Sequence, residues 1–369
     1  MKPEILAAET DAQREAIYRL RYDIYVEEMN RYWSIADHEN RRLTEPEDDA
    51  RSRHYLAVDG DDVVGTMRLT WGGDASFTKR HIEQYDLWPF VADVPEDQMI
   101  IGERFMVRKS HRGTDLIFRL FCTYLQFVNE NRIQLIFGDS EPHLLNLYQG
   151  LGFRTYTKKN INSPETGYLI PLLMVPEDMV YMRAISSPLT EVLQDFGADA
   201  RVPDCVSRQL AKGSAVKNTS VVPKEHYWRD IESALNLAEC RAGLFDGLSE
   251  QQMHQCLSKS NVIECRKGDR IIKKGNVAQN MFVVLSGILE VRDGDEIVTL
   301  AGAGDIVGEM AFLLESSRSM DVYAATDDVR ILSLSESVIK KMIQHDSEAA
   351  AALLLNVSKM LCYKLLGQT

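Results

Sequence analysis

The stretch Gly308-Glu309-Met310-Ala311, followed after a short loop by Arg318-Ser319, decides the fold of the C-terminal part of this chain. A glycine turn that leads into a short helix exposes free backbone N–H groups to an anion. Arg318 can pair with phosphate oxygens through two parallel hydrogen bonds, and Glu309 can accept a hydrogen bond from a ribose hydroxyl. Together these residues suit a ligand that has one phosphate and one ribose.

The residues before this stretch read as short β-strands that are separated by glycine turns, in 267–275 and in 281–291. Taken with the Gly-Glu turn and the arginine, they make residues 245–369 resemble a cyclic-nucleotide-binding domain, which is a β-roll with flanking helices. The resemblance implies that cAMP or cGMP binds as a regulatory ligand to Gly308, Glu309, Met310, Ala311, Arg318 and Ser319. The alternative is a roll that has lost its ligand and keeps Glu309 and Arg318 as an ion pair.

The composition is that of a globular protein with more than one domain. The chain has 369 residues, is 45% hydrophobic and has a formal net charge of −13. This charge disfavours general binding to nucleic acids or to anionic membranes. The six cysteines show neither C-x-x-C pairs nor regular spacing, so we expect no metal site and no disulfide framework. No stretch reaches the ~18 apolar residues of a membrane span, and we expect a cytoplasmic protein.

The N-terminal part alternates between helices and strands. The predicted order is a helix over 17–29, a polar surface loop over 38–53, strands over 54–58, 63–69 and 99–107, a helix over 115–131, a strand over 134–138 and a helix over 144–149. This alternation predicts an α/β domain. We therefore divide the chain into this α/β domain over 1–185, a connector over 186–226 and a nucleotide-binding domain with flanking helices over 227–369.

From residue 99 onward the elements follow a recognisable order: a strand, a basic turn, a long helix, another strand and then Tyr148-Gln149-Gly150-Leu151-Gly152-Phe153. This order resembles the Gcn5-related acyltransferase (GNAT) fold. Within that superfamily, residues 18–29, the strand that contains Arg68, and the run 104–107 resemble long-chain N-acyl amino acid synthases and acyl-homoserine-lactone synthases. The resemblance implies an N-acyltransferase that moves an acyl group from an acyl carrier protein thioester to the amine of a small acceptor such as an amino acid.

The same resemblance implies roles for individual residues. Tyr148 would protonate the leaving thiolate, with Glu103 and Arg104 in the same catalytic centre; the alternative for Tyr148 is a half-buried aromatic residue of a helix. Arg21 and Arg68 would bind the acceptor, because guanidinium groups suit a carboxylate. The acyl donor would meet Val107, Arg108, Lys109, Arg112 and Gly113, with His111 in the same basic run.

Asp115 lies in the turn where users of coenzyme A in this fold carry a glycine. A carboxylate at a helix N-terminus competes with a phosphate for the same amide groups, so we predict a carrier-bound donor in place of free acetyl-coenzyme A. Two alternatives stay open. One is a cyclic-nucleotide-regulated protein lysine acetyltransferase that uses acetyl-CoA; the other is a non-catalytic nucleotide sensor with a degenerate acyltransferase fold, since Ile101 replaces the acid of the family.

The C-terminal residues 335–366 are predicted to be largely helical. Their apolar helix resembles the dimerising helix of related nucleotide sensors, which raises the alternative of a homodimer. Since no helix-turn-helix follows, we expect no direct binding to DNA. The acyl chain length, the identity of the acceptor and the sign of the regulation stay open.

Overall fold

The computed structural model describes residues 2–193, 202–218, 224–237, 243–277 and 279–366. The chain separates into two compact units: the first comprises 1–140, 147–157 and 171–213, and the second comprises 141–146, 158–170 and 214–369. Parts of the predicted connector, including Gly197 and Pro223, lie outside the described residues, as does Cys240.

The N-terminal part of the chain, over residues 4–174, forms one mixed sheet. Its strands and the hairpin that extends it are β1 (Glu4–Ala7), β2 (Arg53–Asp59), β3 (Asp62–Trp71), β4 (Met99–Val107), β5 (Leu135–Ser140), β6 (Arg154–Thr155), β7 (Ile161–Ser163) and β8 (Gly167–Met174). The strand order is β1-β2-β3-β4-β5-β8-β6, and β7 pairs with β8. The β4–β5 pairing is parallel and the β2–β3 and β3–β4 pairings are antiparallel.

The helices of this part of the chain include the three that the sequence predicts and others that it does not predict. They are α1 (Asp11–Arg21), which continues as a π-helix over Tyr22–Glu28, α2 (Pro46–Asp49), α3 (Lys79–Gln84), α4 (Trp88–Val91), α5 (Leu116–Glu130), α6 (Leu145–Leu151), α7 (Met179–Ala184) and α8 (Asp204–Ala211). The Thr10 side chain caps α1 in a capping box with Gln13. The α5 helix buries Leu120, Tyr124 and Val128 at the four-residue spacing of a single helix face, which is why its period is visible in the sequence.

The prediction for the irregular segment 38–53 is wrong. The stretch 38–53 is not simply a surface loop, because it contains α2 and buries Asp48 and Asp49. Acidic residues are usually exposed, so their burial could not be predicted without their partners. The described part of the predicted connector contains α8 and a short strand, β9 (Val216–Lys217). This strand pairs with Val262 and Ile263 of the second unit.

The second unit contains the roll. Its strands after β9 are β10 (Asn261–Cys265), β11 (Arg270–Ile272), β12 (Asn280–Ser286), β13 (Leu289–Asp293), β14 (Glu296–Ala301), β15 (Ile306–Val307), β16 (Asp321–Ala324) and β17 (Val329–Ser335). They form two sheets, with the orders β15-β12-β17-β10-β9 and β11-β16-β13-β14. The helices are α9 (Lys224–Leu237), α10 (Glu250–Leu257), α11 (Glu309–Leu313), α12 (Glu336–His345) and α13 (Ser347–Leu365).

The core of the second unit is formed by the flanking helices against the first of these sheets. Tyr227 of α9, Met253 of α10 and Leu353 of α13 lie in one buried cluster with Val283 and Leu332 of the sheet. The burial of this apolar surface is the main stabilising contribution to the unit. Because α11 and α13 flank the same cluster, the last helix of the chain is part of the folded roll. Within the described ranges, no helix is both long and apolar enough to cross a membrane.

Candidate functional site

A cleft opens in the first unit where β4 and β5 separate. The two strands pair from Met99 with Leu135 to Ile101 with Phe137, and the cleft lies just beyond this pairing. Its lining consists of Gly102, Phe105, Phe121, Tyr124, Phe137, Gly138, Asp139, Tyr148, Phe153 and Leu172. The wall is mainly aromatic, which suits an apolar chain, and it also carries one carboxylate and tyrosine hydroxyls.

The predicted general acid lies in this cleft. Tyr148 is half-buried on α6, and its ring packs edge-on against Phe121 and Phe153 at centroid distances of 6.2 and 5.7 Å. This packing fixes the ring in the wall of the cleft. The role of Tyr148 as a general acid stays a prediction.

A β-bulge in β4 separates the two other predicted catalytic residues. Arg68 pairs with Glu103 while Thr66 pairs with Met106, so β4 carries one extra residue here. Arg104 adopts a φ of 54°, a left-handed conformation that is uncommon for a residue with a side chain. The structure therefore directs Glu103 and Arg104 to different partners.

Arg68 and Arg104 meet on one carboxylate. Nη1 of Arg68 donates to Glu45 at 2.8 Å, and Nε of Arg104 donates to the same side chain at 2.7 Å. Arg68 also donates through Nη2 to Glu103 at 2.9 Å, and Arg104 through Nη1 to the Tyr32 hydroxyl at 2.5 Å. Burial raises the pKa of Glu45, but Arg104 and then Arg68 outweigh it and bring this pKa to about 2. Glu45 is thus held as an anion.

Arg21 is enclosed in the same network. Its Nη1 donates to Asp49 at 2.7 Å and its Nη2 contacts Nδ1 of His54 at 3.1 Å. Burial, followed by the charge of Arg21, lowers the pKa of His54 to about 4. Arg21 and Arg68 are 1% and 0% exposed, so both predicted acceptor ligands lie inside the fold with carboxylate partners. Their role in acceptor binding stays a prediction; Arg104, with its side chain 14% exposed, is the more accessible arginine.

Asp139 was missed by the sequence analysis. It lies at the carboxyl end of β5 and lines the cleft, and its Oδ2 accepts a hydrogen bond from the Tyr85 hydroxyl at 2.8 Å. The same hydroxyl lies 3.1 Å from Oε1 of Glu103. The available signal was an acid that directly follows the apolar run 135–138.

The predicted donor-binding run lies at the turn between β4 and α5. Arg108 pairs with Asp23 at 3.1 Å, and His111 lies 3.1 Å from Asp59. Arg112 pairs with Glu28 and donates through Nε to the carbonyl oxygen of Val107. Lys109 is exposed, and Gly113 has a φ of 79° that favours glycine. The cations of this turn therefore have acidic neighbours at the surface.

Asp115 does not behave as expected. Its side chain makes no capping hydrogen bond to α5 and instead contacts Nζ of Lys2 at 2.8 Å. The expected competition between this carboxylate and a phosphate for the amide groups of α5 is wrong in that direct form. The carboxylate still places a negative charge at the turn.

The candidate nucleotide pocket lies at the start of α11. Gly308 has a φ of 80° and precedes the helix, and Arg318 donates through Nη1 to its carbonyl oxygen at 2.6 Å. A Cβ atom on Gly308 would lie 2.3 Å from that Nη1 atom. Arg318 also donates to Oδ1 of Asn280 at 3.0 Å. Only glycine fits between the turn and the guanidinium group.

Glu309 forms its ion pair with Lys364 of α13, at 3.1 Å, and not with the arginine that the ligand-free alternative assigned to it. Glu309 and Arg318 are 6% and 7% exposed, and Ala311 is buried as well. Met310 and Ser319 are exposed. Within the part of the chain that the structure describes, no group of three or more histidine, cysteine or acidic side chains is arranged to hold a metal ion.

Comparison with known families confirms both resemblances. Residues 16–173 match the family described as N-acyl amino acid synthase FeeM, and residues 262–346 match the cyclic nucleotide-binding domain. The expected fold class, a GNAT-like α/β domain followed by a β-roll, is confirmed as well by these two family matches and by the sheet topology. Each family covers one part of the chain.

Individual relatives follow the same division. The L-ornithine N(alpha)-acyltransferase of Rhodobacter capsulatus is 30% identical over 149 residues, which are 38% of this chain and 56% of that protein. The cAMP-dependent protein kinase type II regulatory subunit of Drosophila melanogaster is 32% identical over 110 residues, which are 29% of this chain and 28% of that protein. A solved CoA-dependent acyl-homoserine lactone synthase is 19% identical with a TM-score of 0.37, and the match covers 57% of this chain and 99% of that one. The chain thus spans about half the length of the first of these curated relatives and about a quarter of the length of the second.

Proposed function

We propose that this chain, which joins an N-acyl amino acid synthase domain to a cyclic-nucleotide-binding domain, is an N-acyltransferase regulated by a cyclic nucleotide. It would transfer an acyl group from a thioester to the amine of a small acceptor. The observation that carries the proposal is the aromatic cleft between β4 and β5, which contains Tyr148 and Asp139 and lies inside the segment that matches the synthase family.

The geometry of the cleft supports an addition–elimination reaction. The acyl chain of the thioester would lie against the aromatic wall, where Phe105, Phe121 and Phe153 exclude water. The acceptor amine would attack the thioester carbonyl carbon, and the C–S bond would then break. Tyr148 would donate its proton to the leaving sulfur, because this residue lines the cleft.

The acceptor would be an amino acid. The relative from Rhodobacter capsulatus acts, by its name, on L-ornithine, and the cluster around Glu45 shows how this chain holds a carboxylate between guanidinium groups. Arg104 is the most accessible of these arginines, and an acceptor carboxylate would take a place on it beside or in exchange with Glu45.

The donor would be an acyl carrier protein thioester, with acyl-CoA as the competing donor. Asp115 puts a carboxylate next to the α5 N-terminus, which disfavours a pyrophosphate more than the single phosphate of a carrier arm. The ion pairs of Arg108 and Arg112 are partly exposed, and such pairs contribute about 0–1 kcal/mol each. An acidic carrier could therefore replace Asp23 and Glu28 at little cost.

The regulatory ligand would be cAMP, with cGMP as the alternative. The curated relatives of the second unit include regulatory subunits of cAMP-dependent protein kinase, and residues 262–346 carry the Gly-Glu turn and Arg318, of which Glu309 and Arg318 are buried. Since residues 245–369 form a sensor on the same chain as the synthase domain, its natural target is the acyl transfer itself.

One experiment tests the whole proposal. The intact protein is incubated with acyl-carrier and acyl-CoA thioesters of several chain lengths and with a panel of amino acids that includes L-ornithine, with and without cAMP. Mass spectrometry should detect an N-acyl amino acid, and Tyr148→Phe should reduce its formation. Acetylated protein lysines in place of a small amide would favour the acetyltransferase alternative. Nucleotide binding without any acylation would favour the non-catalytic sensor and refute the proposal.

A further inference from the structure

Asp139 is the carboxylate that faces the cleft. Of the residues that line the described cleft, it alone carries an acid, and it shares this wall with Tyr148. It lies near the carboxyl end of β5. Phe137 is the last residue of β5 that pairs with β4, and Asp139 follows it after Gly138. The strand therefore presents Asp139 where the sheet opens and where a thioester and an amine would meet.

Glu103 is placed differently. It does not belong to the cleft wall, and it accepts hydrogen bonds from both Nε and Nη2 of Arg68 at 3.2 and 2.9 Å. Its carboxylate is thus committed to a buried guanidinium group. A group that must accept a proton from a substrate needs access to that substrate, and of these two acids it is Asp139 that lines the cleft.

Tyr85 connects the two acids. Its hydroxyl lies 2.8 Å from Oδ2 of Asp139 and 3.1 Å from Oε1 of Glu103, and its side chain is 0% exposed. A phenol has one proton, so it donates to one carboxylate at a time. Burial and then the charge of Asp139 raise the pKa of Tyr85 well above its ordinary value, so this hydroxyl stays protonated. It can therefore donate to Asp139 while that residue is ionised and turn to Glu103 when Asp139 is protonated.

We propose that Asp139 is the general base of acyl transfer and that Tyr85 and Glu103 are positioning residues that support its change of protonation. This inference rests on the proposed acyltransferase function. The amine nitrogen forms a bond to the thioester carbon and loses one proton to Asp139, while the C–S bond breaks and the sulfur takes a proton from Tyr148. Water then returns one proton from Asp139 to the Tyr148 phenolate. The balance is thioester plus amine giving amide plus thiol.

The test compares acid-to-amide variants in the intact protein. Asp139→Asn should lower kcat at least 100-fold, in line with the ~10²–10⁴-fold contribution of a general base, and leave the Kd of the acyl donor within threefold. In Asp139→Ala, added formate should restore part of the rate, because a small carboxylate can occupy the vacated space. Asp93→Asn, which removes an acid from an exposed pair with Arg208, is the matched control and should keep the wild-type rate.

Positioning is separated from catalysis by the pH profile. Tyr85→Phe should shift the acid limb of kcat/KM and lower kcat less than Asp139→Asn does. Glu103→Gln should also act more weakly than Asp139→Asn, and formate should rescue neither variant.

Three outcomes would overturn the inference. The first is an Asp139→Asn variant that keeps more than a third of the wild-type rate. The second is a loss of donor binding in that variant, and the third is the absence of formate rescue in Asp139→Ala. If the wild-type protein forms no amide with any donor, the proposed function fails first and this inference fails with it.

Discussion

Replacing Arg318 with alanine should weaken cyclic-nucleotide binding by roughly thirtyfold to several thousandfold. The guanidinium group is 7% exposed and is held at the start of α11 by the Gly308 carbonyl and the Asn280 side chain, so it is already positioned for an anion. Removing one partner of a buried charge pair costs about 2–5 kcal/mol. Since 1.4 kcal/mol corresponds to a factor of ten in Kd, this range gives the expected loss.

Calorimetry on the intact protein with cAMP and with cGMP measures this effect. Arg318→Lys should fall between the wild-type protein and Arg318→Ala, because a lysine keeps the charge but cannot form the two parallel hydrogen bonds. Lys274→Ala is the control: Lys274 is half-exposed and pairs with Asp293, so its loss should not change the Kd. A thermal melt without ligand checks that Arg318→Ala still folds. A folded Arg318→Ala protein with a Kd within threefold of the wild-type value would refute the reasoning.

Three further predictions concern the pocket and the buried charges. Gly308→Ala removes no charge, but the new Cβ atom would lie 2.3 Å from Nη1 of Arg318. We expect this variant to weaken nucleotide binding at least tenfold in calorimetry, and an unchanged Kd would contradict this geometry. Arg68→Met removes a buried guanidinium group and should lower the free energy of unfolding in urea by about 3–5 kcal/mol. Arg112→Met breaks a partly exposed ion pair and should change the free energy of unfolding by less than about 1 kcal/mol. Equal effects of the two variants would contradict the assigned burial. The pKa of His54 is lowered from 6.5 in the unfolded chain to about 4 in the folded protein, so the unfolded state binds the proton first as the pH drops. The free energy of unfolding should therefore fall between about pH 6.5 and about pH 4. His54→Gln should flatten this part of the stability profile measured in urea, and an unaltered profile would contradict the assignment.

The regular elements of both units could be predicted because their signals are local. The hairpin of β2 and β3 and the helix α5 each show their own hydrophobic period, and the turn at Gly308 has a residue type that its φ of 80° requires. Each of these features depends on neighbours within a few residues, so one sequence is enough.

The buried charges could not be predicted because their partners are distant in sequence. In the sequence alone, Asp49 of α2 has the features of an ordinary surface acid. In the folded protein it pairs with Arg21 of α1 and Arg68 of β3, which are distant in sequence. The bulge at Arg104 is equally invisible, since it depends on the register between β3 and β4. Asp139 could not be singled out for the same reason, because the cleft that it lines is defined by where β4 and β5 separate.

The last prediction concerns the coupling of the nucleotide to acyl transfer, and its basis is a set of hydrogen bonds inside the second unit. The backbone of Arg318 pairs with Gly275 and Asn276, each at 2.8 Å. The side chain of Asn276 then donates to the carbonyl oxygen of Thr166 at 3.0 Å. One residue further on, β8 begins, and this strand carries Leu172 of the cleft wall. Two hydrogen-bonded steps thus connect Arg318 to Thr166, the residue that precedes β8.

Cyclic nucleotide should therefore change the Kd of the acyl donor by roughly fivefold to a hundredfold, the ~1–3 kcal/mol of typical couplings, and the donor should change the Kd of the nucleotide by the same factor. Asn276→Ala removes the side-chain bond to Thr166 and keeps the backbone pairing with Arg318, so it should reduce this factor while leaving nucleotide affinity without donor within threefold. Titrating each ligand in the presence and absence of the other measures both directions. Equal affinities in all four titrations of the wild-type protein would show that the two units are merely joined, and a coupling factor unchanged in Asn276→Ala would exclude this route.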